Sequence, residues 1–184
     1  LGLGLVLDRV LKFWKATVIR ASGAEHEAVI FRLVNGRDTR RGLTASELFR
    51  SCLTAKDPVA LELMEAVTNA GMTLKLLRGG SDGWPQMACI GGLYRECASR
   101  GGEVVERALK VMVAAWPQQT DCLKDLLPIS LIQLYGRAGD QIDDKRMVRQ
   151  LSNVAPGKIL LDSSVATNSR FVRCQQIICE RYNM

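Results

Sequence analysis

Histidine is almost missing from this chain: His26 is the only one in 184 residues. Multi-histidine zinc centres are thereby excluded, and any serine–histidine or cysteine–histidine couple would depend on that one imidazole. Flanked by Glu25 and Glu27, His26 reads as an exposed first-turn residue, not a general base. Aromatic residues make up only 5% of the chain, so Leu, Val, Ile, Met and Ala must fill the core. Long apolar runs are absent as well. The longest uncharged stretch, Gly83 to Tyr94, falls far short of the roughly 20 apolar residues that span a bilayer. No transmembrane helix and no membrane partner are expected. The six cysteines, at 52, 89, 97, 122, 174 and 179, are dispersed, and with a single histidine they do not suggest structural zinc. They fall mostly on apolar helix faces, where a free thiol behaves as a small hydrophobe. A reduced, cytoplasmic setting is the expectation. Cofactor loops are missing too. Gly2-x-Gly4 is followed by Leu7 where a dinucleotide loop needs glycine, and Gly157-Lys158 is preceded by Ser152 where a phosphate loop needs one. No charged region precedes the apolar start, so no signal peptide is expected. A first residue of leucine suggests a processed chain or a fragment.

What is present describes a globular protein, with 47% hydrophobic and 24% charged residues. The net charge is +6 and unevenly spread. Residues 1–50 hold nine Lys/Arg against five Asp/Glu, while residues 51–150 balance at twelve each. A basic head on a neutral body permits a polyanionic partner such as nucleic acid.

Along the chain, Val6 to Trp14 has helical periodicity and Ala16 to Arg20, rich in β-branched residues, reads as a strand. A helix over Glu25 to Val34 follows, with acids in its first turn. Thr44-Ala45-Ser46-Glu47 is a capping box opening the next helix, with Leu48, Phe49, Cys52 and Leu53 as its buried face. Asp57-Pro58 caps another, carrying Val59, Ala60, Leu63, Met64 and Val67 inward and stopping at Gly71. Met72 to Arg78 alternates as a short strand or extended segment, and residues 79–83 resemble a linker. Beyond it the periodicity predicts helices over Pro85–Arg100, Glu103–Trp116, Asp121–Arg137 (restarting at Pro128), Asp143–Leu151, Pro156–Ala166 and Ser169–Tyr182.

The chemistry concentrates between Phe31 and Phe49. Asn35, Arg37, Arg40 and Arg41 lie on a loop between two amphipathic helices, and guanidinium forks suit phosphate oxygens. The alternative is a solvated loop with Asn35 as a helix C-cap. Asp143-Asp144 reads as a helix cap interacting with the dipole, in preference to a cation site. Trp84 and Trp116 read as core anchors, with base stacking as the alternative.

The run Glu25, Glu27, Ala28, Ile30 to Asn35, followed by Arg40-Arg41-Gly42-Leu43-Thr44-Ala45-Ser46-Glu47-Leu48-Phe49, resembles a segment of ParB-like domains of the ParB/sulfiredoxin superfamily. Such domains occur in phage- and plasmid-associated proteins. The likeness continues through Lys56 to Ala60, Ile90 to Tyr94, Ala108 to Trp116 and Tyr135 to Leu151, and so spans residues 16 to about 152. It implies DNA binding and an α/β domain followed by a helical one. The superfamily's phosphate-gripping signature, an Asp-Gly-x-His-Arg or Gly-Glu-Arg-Arg type of turn, would precede Ala16. Leu1 to Lys15 does not contain it, so no catalytic residue carries over.

The expected fold is therefore mainly α, with a small α/β part at 1–79 (a truncated ParB-like domain) and a helical domain at 80–184. The expected function is that of a DNA-associated ParB-like protein of a mobile element, non-catalytic as it stands. Asn35, Arg37, Arg40 and Arg41 would contact phosphates, and neither metal nor cofactor is implied. One alternative is a nuclease or nucleotide hydrolase whose motif lies upstream of residue 1. Another is a protein-interaction module, self-associating through its helical half.

Overall fold

The architecture follows from amphipathic segments that each bury one stripe, and in the described residues these are mainly helices. The structure, a computed structural model, describes residues 22–34, 43–76, 83–165 and 169–184. The helix expected at Val6, the strand at Ala16 to Arg20 and most of the 79–83 segment lie outside them.

The first helix, α1 (Ala24–Val34), packs against α2 (Ala45–Thr54). The capping box is formed. The Thr44 hydroxyl accepts the Glu47 backbone N–H at 3.3 Å, and the Glu47 carboxylate accepts that of Thr44 at 2.8 Å. The buried face of α2 differs from the expected one. Phe49, Ser51 and Cys52 are buried, whereas Leu48 is 37% exposed. The cause is tertiary: α1 covers Ser51, whose hydroxyl donates to the Ala28 carbonyl at 2.7 Å, so a polar side chain is buried with its bond made.

Helix α3 (Pro58–Asn69) starts at Pro58 with the Asp57 carboxylate accepting the Ala60 N–H at 3.1 Å. It ends before Gly71, whose φ of 76° is the left-handed conformation that glycine adopts without strain. The strands β1 (Thr73–Leu74) and β2 (Gln86–Met87) pair in parallel, Thr73 opposite Gln86 and Leu74 opposite Met87. Met72 and Leu74 point inward and Thr73 outward, as period-two alternation requires.

Residues 85–89, predicted as helix, instead carry β2 and its exit, and α4 (Ile90–Arg100) begins only after them. A strand partner contributed by another part of the chain outweighs local periodicity there. Helix α5 (Gly102–Ala115) touches α3, α4, α6 and α7, and its stripe Val105, Ala108, Leu109 and Met112 is fully buried. A 3-10 turn at Thr120–Leu123 precedes α6 (Leu126–Ala138), so the helix predicted from Asp121 starts later. Pro128 sits in the first turn of α6, where its missing N–H costs nothing, and is not a restart. Helices α7 (Asp144–Ser152), α8 (Pro156–Ser164) and α9 (Arg170–Asn183) complete the described order. One hydrophobic cluster runs from Phe49 to Ile178 through helices on both sides of residue 79. No helix among the described residues is long and apolar enough to cross a membrane.

Candidate functional site

Asn35, Arg37, Arg40 and Arg41, the residues expected to meet phosphate, lie outside the described residues; the helices flanking them are described. Glu25 on α1 forms an ion pair with Lys56 beyond the end of α2. Ala28 is bonded to Ser51, and Phe31 shares a shallow groove with Glu47 and Arg50. These contacts make α1 and α2 antiparallel. The chain therefore leaves α1 and enters α2 at the same end of the pair, opposite the Glu25–Lys56 clamp.

On its other side, α2 faces α4 across an apolar groove of about 430 Å³ lined by Leu48, Phe49, Gly91, Tyr94 and Arg95. Phe49 meets Tyr94 edge-on, with ring centroids 5.9 Å apart. The Tyr94 hydroxyl donates to Asp57 Oδ1 at 3.1 Å. Burial, then that carboxylate, hold the phenol well above its ordinary range, so it stays neutral. Close approach of α4 rests on its two glycines. A Cβ on Gly91 would lie 3.3 Å from the Ala45 Cβ, and one on Gly92 would lie 2.9 Å from the Ile129 Cδ1.

A larger cleft of about 590 Å³ lies between β2 and the 3-10 turn, lined in part by Gly83, Cys89, Asp121, Lys124 and Asp125. Cys89 brings a thiol to this cleft. Burial pushes its thiol up to about 12, and the charge of Asp125 adds to the rise. A thiol held protonated is a poor nucleophile. Cys97 and Cys122 are likewise pushed up to about 11, chiefly by burial, and all six cysteines are free.

Two polar networks hold the helical half together. Arg107 on α5 donates from Nε to both Asp144 oxygens at 3.1 and 3.0 Å, and from Nη2 to the Ile142 carbonyl at 2.8 Å. Its guanidinium lies 5.1 Å over the Tyr135 ring, and the Tyr135 hydroxyl donates to Asp144 at 3.0 Å. The pair Asp143-Asp144 thus divides its roles. Asp143 caps α7, accepting the N–H groups of Lys145 and Arg146 at 2.9 and 3.2 Å, as expected. Asp144, expected to serve the helix terminus, instead binds Arg107. In the second network buried Glu96 accepts from Arg100 Nε at 2.8 Å and Gln133 Nε2 at 2.7 Å. Gln175 links Gln133 to Arg137.

These residues were not legible as sites. Arg107 and Glu96 sit in helical stripes as single polar interruptions, and nothing local names their partners more than thirty residues away. The remaining single-residue expectations fall as follows. His26 is exposed, and its Nδ1 accepts the Ser22 backbone N–H at 3.1 Å. Trp116 is fully buried, donating from Nε1 to the Leu151 and Val154 carbonyls at 3.0 and 2.8 Å, so it is a core anchor and not a stacking platform. Trp84 is partly buried against the same core.

Fold and networks together define a mainly α-helical protein with a small parallel two-stranded sheet. The chain belongs to DUF6551, described as a family of unknown function, whose model matches residues 15–183. No curated protein and no solved structure matches it.

Proposed function

We propose that this is a DNA-associated, ParB-like protein of a mobile element that binds nucleic-acid phosphates and, as it stands, performs no catalysis. The observation that carries the reading is the clustering of Asn35, Arg37, Arg40 and Arg41 within seven residues of the sequence. They fall in the chain between two antiparallel helices clamped at their far end by Glu25 and Lys56. Support comes from the excess of positive charge in the first fifty residues and from the resemblance to ParB-like domains. Contacts of this kind read the backbone and not the bases, so binding is largely independent of DNA sequence and weakens steeply with salt.

The test is a DNA titration of wild type and R37A/R40A/R41A at low salt. Three lost phosphate contacts lower the slope of log affinity against log salt by about 2.7, at about 0.9 per contact. Unchanged affinity in the triple variant would refute the proposal.

A further inference from the structure

We propose that the outward face of α7 is a second DNA-backbone contact surface, with Lys145 and Arg149 meeting phosphates of one strand. The inference rests on the DNA partner proposed above but on different residues, in the other half of the chain.

Lys145 and Arg149 are four residues apart, on one helix face about 6 Å apart along the axis. Both are exposed, and neither takes part in an ion pair among the described residues. Like charges at this spacing destabilise a helix by a few tenths of a kcal/mol, which offsets part of what Arg149 contributes through the helix dipole in the last turn of α7. No acid forms an ion pair with either side chain among the described residues. Asp143 accepts the two N–H groups it caps and keeps its charge near Lys145, Asp144 is bound by Arg107 and Tyr135, and exposed Asp140 lies 4.0 Å from Arg107 Nη1. On the elements packed against α7, Glu106 of α5 is bound by Lys110 and Asn69, and Glu180 of α9 pairs with Arg173.

The helix is also anchored for such work. Met147 and Leu151 are buried on its inner side. Arg146 is held 4.9 Å over the Tyr182 ring, while the Tyr182 hydroxyl accepts the Asp143 N–H at 3.1 Å. Two outward cations one turn apart on a fixed helix match neighbouring phosphates on a strand. An extended polyanion is the partner that complements them.

The experiment compares three full-length proteins in salt titrations against one duplex: wild type, K145Q/R149Q and R37A/R40A/R41A. K145Q/R149Q is expected to fold as wild type by circular dichroism, since both side chains lie on a solvent face and glutamine is a good helix former. Its binding should weaken, with the salt slope lower by about 1.8. If the loop variant loses affinity while K145Q/R149Q keeps wild-type affinity and slope, this surface is wrong and the loop reading stands. If only the α7 variant weakens, the loop reading fails and this one holds. Absence of DNA binding by wild type removes both. Retention of wild type on poly-glutamate but not on DNA would assign α7 to an acidic protein and overturn the proposal.

Discussion

Burial at single residues keeps three thiols of this protein protonated. Cys97 and Cys122 are buried in the core and Cys89 is partly buried against it, and removal of water penalises the thiolate far more than the thiol. The consequence for stability has a definite sign. In the unfolded chain a thiol loses its proton at roughly 8.5, whereas in the fold these groups hold theirs to about 11 or 12. Between those values the folded state binds more protons, so stability is complete below the lower limit and falls as pH rises through the upper one. Urea melts at pH 7 and pH 10 should show a lower midpoint at the higher pH, with a smaller difference in Cys89→Ala. An identical pH dependence in the variant would show that the thiol does not contribute.

Elements are joined here by close approach and by borrowed caps. Gly101, at φ 86°, ends α4, and the Gly102 N–H that opens α5 is capped from a distance by Glu62 Oε1 at 2.6 Å. Gly92 comes close to Ile129, which is almost fully buried: a Cβ there would lie 2.9 Å from its Cδ1. Gly92→Ala adds helix propensity of about 1 kcal/mol but drives a methyl group into the terminal carbon of Ile129. Overpacking costs about 1–3 kcal/mol and wins. The expected net loss is about 1 kcal/mol, or roughly 2–4 °C in Tm for a chain of this size. Adding Ile129→Val removes the opposing carbon and should recover part of it, measured as a double-mutant cycle. Strict additivity would mean the two positions do not press on each other. At the start of α7, Asp143→Ala should cost about 1 kcal/mol through loss of the cap, read as a lower urea midpoint.

Across the whole molecule, α5 packs against four other helices, α3, α4, α6 and α7, and the cluster from Phe49 to Ile178 includes residues on both sides of the segment that resembles a linker. A single shared core unfolds cooperatively. Fluorescence, which reports buried Trp116, and far-ultraviolet circular dichroism, which reports all helices, should therefore give coincident urea transitions. Two separated transitions would instead divide the chain into independently folding parts near residue 79. The same scale governs the proposed function. The arginines that fall in the chain between α1 and α2 and a cationic face on α7 would bind one polyanion only if both reach it together. The salt slopes of the two variants are the measure of that.

Local rules were sufficient wherever a structure is made by neighbours in the chain. The Thr44 capping box, the Asp57-Pro58 helix start, the Gly71 stop and the α5 stripe could all be read directly, because hydrogen bonds and periodicity within one or two turns decide them. The tertiary structure alone decided that Ser51 is buried and Leu48 is not, that residues 86–87 pair with 73–74, and that Asp144 binds Arg107. Each of those depends on a partner far along the chain, and an isolated stretch of sequence carries no record of which distant surface will cover it.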